Sequence, residues 1–171
     1  MKTVFITGTN KGLGLEFSKQ YLNEGHAVIA TCRNPDQASE LNALHAMHPG
    51  KLTVLKMDLS DEASIQRIGH DIKDRPVDIF ISNAGTAKGY ASEAHLNNFG
   101  FVQSGPWIDV FGTKCGGPWL PAQVVHPKIL LGQDKKLGFI TSKPASITEN
   151  TGGAPYKNRS HPNPPKQVVQ T

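Results

Sequence analysis

The residues Thr7-Gly8-Thr9-Asn10-Lys11-Gly12-Leu13-Gly14 are where this chain's residue types and spacing point most directly to chemistry. They follow a β-branched, apolar run, Thr3-Val4-Phe5-Ile6, and open a stretch with helical periodicity. A glycine turn between strand and helix leaves main-chain N–H groups, backed by the helix dipole, facing whatever lies above it. Such a turn seats a pyrophosphate. Gly8 permits the tight turn, Gly12 lets the backbone approach the anion, and Gly14 allows helix and strand to pack closely. An ordinary surface loop has no need of this context on both sides.

The end of the second apolar run, Ala27-Val28-Ile29-Ala30-Thr31, decides which dinucleotide such a seat prefers. A site for NAD places an acid there to accept from the ribose 2′-hydroxyl. Here Thr31-Cys32-Arg33-Asn34 offers Arg33, and Lys11 lies inside the glycine turn. Two cations converging on a 2′-phosphate favour NADP(H), because charge-assisted contacts are the strong ones. The alternative is that both are solvated surface charges. Other constellations are weaker. His45 and His48 share a helical face but lack a third ligand, so no metal site is expected. Lys157, Arg159 and Lys166 read as a solvated basic tail rather than a nucleic-acid surface.

The elements that must position these residues alternate regularly. After the first strand, a helix from Gly12 places Leu15, Ser18 and Leu22 on one stripe, with Leu13, Phe17 and Tyr21 beside it, and Gly25 ends it. A helix after Pro35 carries Ala38, Leu41 and Leu44. Leu52-Thr53-Val54-Leu55 is a third strand, and Ser60 is expected to cap a helix that buries Ile65, Ile68 and Ile72. Val77-Asp78-Ile79-Phe80-Ile81 is a fourth strand. Strands separated by helices of this length are joined by right-handed crossovers, so the sheet is parallel with helices on both faces. The expected fold is α/β, a Rossmann-like doubly wound parallel sheet of about five strands in the order 3-2-1-4-5. Leu137-Gly138-Phe139-Ile140-Thr141 supplies the fifth. Between them, a helix from Trp107 to about Gln123 is interrupted by Gly112, Gly116, Gly117, Pro118 and Pro121. The expected organisation is a nucleotide-binding domain over 1–142 and an irregular, proline-rich tail over 143–171.

The 171 residues make one domain's worth of chain, and nine of the twelve prolines lie at or beyond Pro106. A net charge of +4 suits an acidic ligand without requiring nucleic acid. Cys32 and Cys115 lack metal-type spacing, and neither a signal segment nor a membrane span is expected, which favours a reduced, cytoplasmic protein.

The glycine spacing, Asp58-Leu59 after the third strand, and Asn83-Ala84-Gly85 after the fourth resemble the short-chain dehydrogenase/reductase family, most of all its C-factor and sniffer-like carbonyl reductase branch. The resemblance runs to about Arg159 and is most specific up to Gly85. It implies that Asp58 contacts the adenine with Leu59 beside it, and that Asn83, with Ala84 and Gly85, braces the sheet next to the ribose. It also implies four catalytic groups: a tyrosine that handles the proton, a lysine four residues later, a serine on the substrate oxygen and an asparagine holding a relay water. Ser142 matches the serine, but the asparagine position falls on Lys114, the tyrosine on Asn158 and the lysine on Pro162. Tyr156 is the remaining candidate acid, yet the residue four positions on is Ser160, and Lys157 would point about 100° away on a helix. The family pattern continues into another helix, two strands and a substrate-covering loop that nothing after Pro162 supplies, so a truncated member is expected.

Two readings follow. One is an NADP(H)-dependent oxidoreductase acting on a small carbonyl or alcohol by hydride transfer. The other is a non-catalytic dinucleotide-binding relic. Substrate and oligomeric state stay open.

Overall fold

The computed structural model describes residues 1–85, 104–142, 146 and 148. Strand β1 (Thr3–Thr7) leads through the glycine turn into helix α1 (Gly12–Asn23), followed by β2 (Ala27–Cys32). A 3₁₀ turn (Pro35–Gln37), α2 (Ser39–Met47), β3 (Leu52–Lys56), α3 (Glu62–Asp71) and β4 (Ile79–Ser82) come next. After residue 103 the chain forms α4 (Ser104–Phe111), a π-helical segment (Gly112–Gly116), α5 (Gly117–Leu131) and β5 (Lys136–Phe139). The five strands among the described residues make one parallel sheet, ordered β3-β2-β1-β4-β5. That is the expected order of a doubly wound parallel sheet.

Contacts divide the chain into two compact units. The first comprises Met1–Ala84 and Leu120–Ile140; the second comprises Gly85–Trp119 and Thr141–Thr171, of which Gly85, 104–119, Thr141, Ser142, Ser146 and Thr148 are described. No helix among the described residues is long and apolar enough to cross a membrane.

In the first unit, strand alternation sends neighbouring side chains to opposite faces. Val4, Ile6, Val28, Ala30 and Ile81 join Leu15 and Leu22 of α1 and Leu41 and Leu44 of α2 on one face. Phe5, Ile29 and Phe80 join Ile65 and Ile68 of α3 and Ala122, Val125 and Ile129 of α5 on the other. Phe5 and Phe80 stack at 5.6 Å between centroids. Each fully buried side chain of this size contributes about 1.5–3 kcal/mol.

Three expectations need correction. Ser60 does not cap α3: its N–H and hydroxyl both donate to Asp58 Oδ1 (2.9 and 2.7 Å), and Asp61 is the capping residue, without a side-chain bond. The segment after Ser104 is more helical than its glycines and prolines suggest. Pro121 and Pro127 lie inside α5, where each costs about 3 kcal/mol by propensity, but the buried stripe Ala122, Val125 and Ile129 offsets that cost against the sheet. The wider π turn carries Gly112 and Gly116. Finally, β5 stops at Phe139, short of the expected Thr141, although the Ile140 N–H still donates to Ser82 O at 2.9 Å.

Asp78, nearly buried just before β4, ties together the end of the sheet away from the glycine turn. Its carboxylate accepts from the N–H groups of Thr3 and Gln133, each at 2.7 Å. Burial alone would raise this carboxyl, but main-chain donors on Thr3, Gln133 and Asp134 outweigh it and hold the group below the usual carboxylate range. A carboxyl depressed in the folded state contributes stability that is present above its unfolded value, near pH 4, and is lost as pH falls through the folded one. Asp78→Asn is expected to cost about 1–3 kcal/mol at neutral pH and to flatten the acid limb below about pH 4. Urea unfolding at several pH values measures both, and identical acid limbs for the two proteins would count against this role.

Candidate functional site

The glycine turn is anchored before it meets any ligand. The N–H groups of Gly8 and Thr9 donate to Thr31 O at 2.9 and 3.0 Å, and the buried Thr9 hydroxyl reaches the same oxygen at 3.2 Å. Gly8 adopts φ +71°, and a Cβ there would stand 2.7 Å from Ala84 Cα. A Cβ on Gly14 would run into the Gly8 carbonyl and stand 2.5 Å from Asn83 Nδ2. A Cβ on Gly12, at φ +61°, would meet no atom of the described residues within 4 Å. The three glycines therefore differ in kind: two are enclosed by the chain, and the third is exposed on the ligand side.

Residues at the end of β4 hold this turn. Asn83 Nδ2 donates to the carbonyls of Thr7 (3.0 Å) and Gly8 (3.1 Å). The N–H groups of Asn83 and Ala84 donate to Thr7 Oγ1 at 3.0 and 2.8 Å. Asn83 therefore ties the end of β4 to the glycine turn, while Gly85 is exposed. Thr7, wholly buried, receives three of these bonds, two of them at its hydroxyl, and the glycine spacing gave it no role of its own. A hydroxyl in the last strand position before a glycine turn was the available signal.

At the mouth of α1, Lys11 is extended and exposed, with no side-chain capping bond and no acidic residue in the first turn. Among the described residues, neither a capping side chain nor a first-turn acid offsets the positive end of this helix, which suits an anion. Leu13, expected beside the buried stripe, is 62% exposed next to Gly12. Beyond β2, Asn10, Arg33, Asn34, Gln37 and Ala38 line a polar depression. Asn10 and Arg33 are brought together there, whereas Lys11 lies outside the lining. Asn34 and Gln37 are additions that spacing did not reveal.

Asp58 follows β3, and its N–H donates to Ser64 Oγ at 3.0 Å. Burial would raise its carboxyl, but the two Ser60 bonds and the charges of Arg33 and Lys56 prevail and hold it ionised below the usual range. Leu59 packs against the α3–α5 face of the core.

Comparison with known proteins bears on the whole of this arrangement. The short chain dehydrogenase family matches residues 2–157. The chain belongs to that family. It is 29% identical over 161 residues to the short chain dehydrogenase pigC of Monascus ruber, covering 88% of this chain and 50% of that protein. It is 35% identical over 129 residues to YusZ, an uncharacterized oxidoreductase of Bacillus subtilis, covering 68% of this chain and 46% of that one. Among solved structures, a carbonyl reductase from Pseudomonas aeruginosa in complex with NADP superposes with a TM-score of 0.85 at 22% identity, over 99% of this chain and 74% of that one. The chain spans about half the length of the curated relatives it matches (50%, 57% and 56% for three of them).

Among the described residues, the expected catalytic positions Ser142 and Lys114 belong to the second unit. Ser142 is exposed, three residues past β5. Lys114 sits in the π-helical segment, partly buried, and burial pulls its amine below the usual lysine value. Tyr156, Asn158 and Pro162 lie outside the described residues. Burial pushes the Cys115 thiol up to about 11 and raises Cys32 as well, so both stay protonated and unreactive near neutrality. Among the described residues no three His, Cys, Asp or Glu side chains gather as a metal site.

Proposed function

We propose that this short-chain dehydrogenase is an NADP(H)-dependent oxidoreductase by descent, with an intact coenzyme seat and turnover close to background. The observation that carries the reading is the glycine turn, where among the described residues no atom crowds Gly12 and no capping side chain or first-turn acid offsets the start of α1. Gly8, Asn10, Lys11, Gly12, Leu13 and Gly14 would hold the pyrophosphate side, Asp58 and Leu59 the adenine, and Asn83, Ala84 and Gly85 the ribose. Arg33 would take the 2′-phosphate. The Pseudomonas relative solved with NADP supports that choice of coenzyme.

When bound, NADPH supplies the hydride that reduces a carbonyl. Ser142 would orient the carbonyl oxygen of a small substrate, and Tyr156 would give it a proton. Two features favour weak chemistry: Lys114 stands at the asparagine position, and Tyr156 has Ser160, not lysine, one helical turn on. Without a lysine to lower its pKa, a tyrosine hydroxyl is a poor acid near neutrality, and loss of a positioned general acid costs roughly 10²- to 10⁴-fold. A non-catalytic dinucleotide-binding role is the second reading, favoured by these same positions.

NADPH fluorescence and calorimetry on the purified chain are expected to show binding, with near-background NADPH oxidation across aldehydes and ketones. Brisk turnover abolished by Tyr156→Phe would instead establish the full enzyme. No affinity for either nicotinamide coenzyme at about millimolar concentration would end the proposal.

A further inference from the structure

The depression beyond β2 has a composition that selects its ligand. Its polar lining, Asn10, Arg33, Asn34 and Gln37, comprises three amides and a guanidinium. Every one of these can donate N–H groups, and among the described residues no carboxylate lines the depression, although Asp36 is adjacent in sequence. Asn34 Nδ2 donates to Gln37 Oε1 at 3.4 Å. That bond occupies the acceptor end of the Gln37 amide and leaves its Nε2 hydrogens, which have no hydrogen-bond partner among the described residues, for a ligand. A ribose hydroxyl binds best where it can donate to a carboxylate; a phosphate monoester accepts only, and fits donors beside a cation.

We propose that Gln37 is a specificity-determining residue, donating through Nε2 to the 2′-phosphate of the coenzyme, with Asn34 holding the amide in that orientation. This rests on the proposed seating of NADP(H) in the glycine turn. The 3₁₀ turn that begins at Pro35 places Gln37 on the same depression as Asn10 and Arg33. Glutamate at position 37 would keep the shape and still accept from Asn34, but it would set a negative charge against the phosphate in place of a donor.

The test is a calorimetric titration of NADPH and of NADH into the full chain and into Gln37→Glu, Gln37→Leu and Arg33→Ala. Gln37→Glu is expected to weaken NADPH by about tenfold and NADH by less than about twofold. Gln37→Leu, which removes the donor without adding charge, should weaken NADPH by about threefold. Because Gln37 is exposed, melting temperatures should match that of the parent protein. Equal weakening of both coenzymes, or unchanged NADPH affinity, overturns the assignment. If the parent chain binds neither coenzyme, the proposed function falls. If it prefers NADPH and Arg33→Ala removes the preference while Gln37→Glu does not, only the role of Gln37 falls.

Discussion

Arg33→Asp is expected to swing coenzyme preference from NADPH towards NADH by on the order of a hundredfold. Arg33 is exposed at the end of β2 and lines the depression with Asn10, so its guanidinium is accessible to a phosphate. A hydrogen bond to a charged group is worth about 1.5–3 kcal/mol, which alone gives ten- to hundredfold. The new carboxylate adds two effects of the same sign: it repels the 2′-phosphate, and it can accept from the 2′-hydroxyl that NADH carries instead. Asp58 lies within reach of the Arg33 charge, so its carboxyl should move back towards the ordinary range in the variant. Competitive fluorescence titration with both coenzymes reads the ratio. The same ratio in variant and parent would mean that the 2′-phosphate sits elsewhere.

The second large effect separates two glycines that look alike in sequence. Gly14→Ala is expected to destabilise the fold by about 3 kcal/mol or more, because its Cβ would enter the space of the Gly8 carbonyl and of Asn83 Nδ2. To make room, the turn must shift away from β4, disturbing the bonds from Asn83 to Thr7 and Gly8. Gly12→Ala meets no atom of the described residues within 4 Å, and pays only the positive-φ penalty of about 1–2 kcal/mol. Its methyl group would lie where the pyrophosphate must approach, so coenzyme affinity should collapse while the protein still folds. Thermal or urea unfolding paired with NADPH titration distinguishes the two. A Gly12→Ala protein that binds as well as its parent would remove the pyrophosphate from this turn.

How much of this was legible beforehand depended on the range of the interactions. The parallel order β3-β2-β1-β4-β5 follows from local signals, because apolar strands alternating with amphipathic helices admit few topologies. Helix α1 begins at Gly12 as read, because the glycine turn that starts it is contiguous in sequence. Ser60 was misjudged for the opposite reason. A serine before acidic residues is a good cap by propensity, but Asp58 two residues earlier competed for its hydroxyl and won. The segment after Ser104 was underestimated because proline and glycine penalties are local, whereas Ala122, Val125 and Ile129 gain from a sheet made of distant residues.

Composition and spacing by themselves determined the doubly wound fold and the residues of the glycine turn, since each is written in contiguous residues. Only the folded chain decided that Gly14 and Gly12 do different work, that Thr7 and Asn83 lock the turn to β4, and that Gln37 shares a depression with Asn10 and Arg33. The physical reason is that steric enclosure and hydrogen-bond partnership here are properties of atoms brought together from as far as 77 positions apart, which no local pattern encodes.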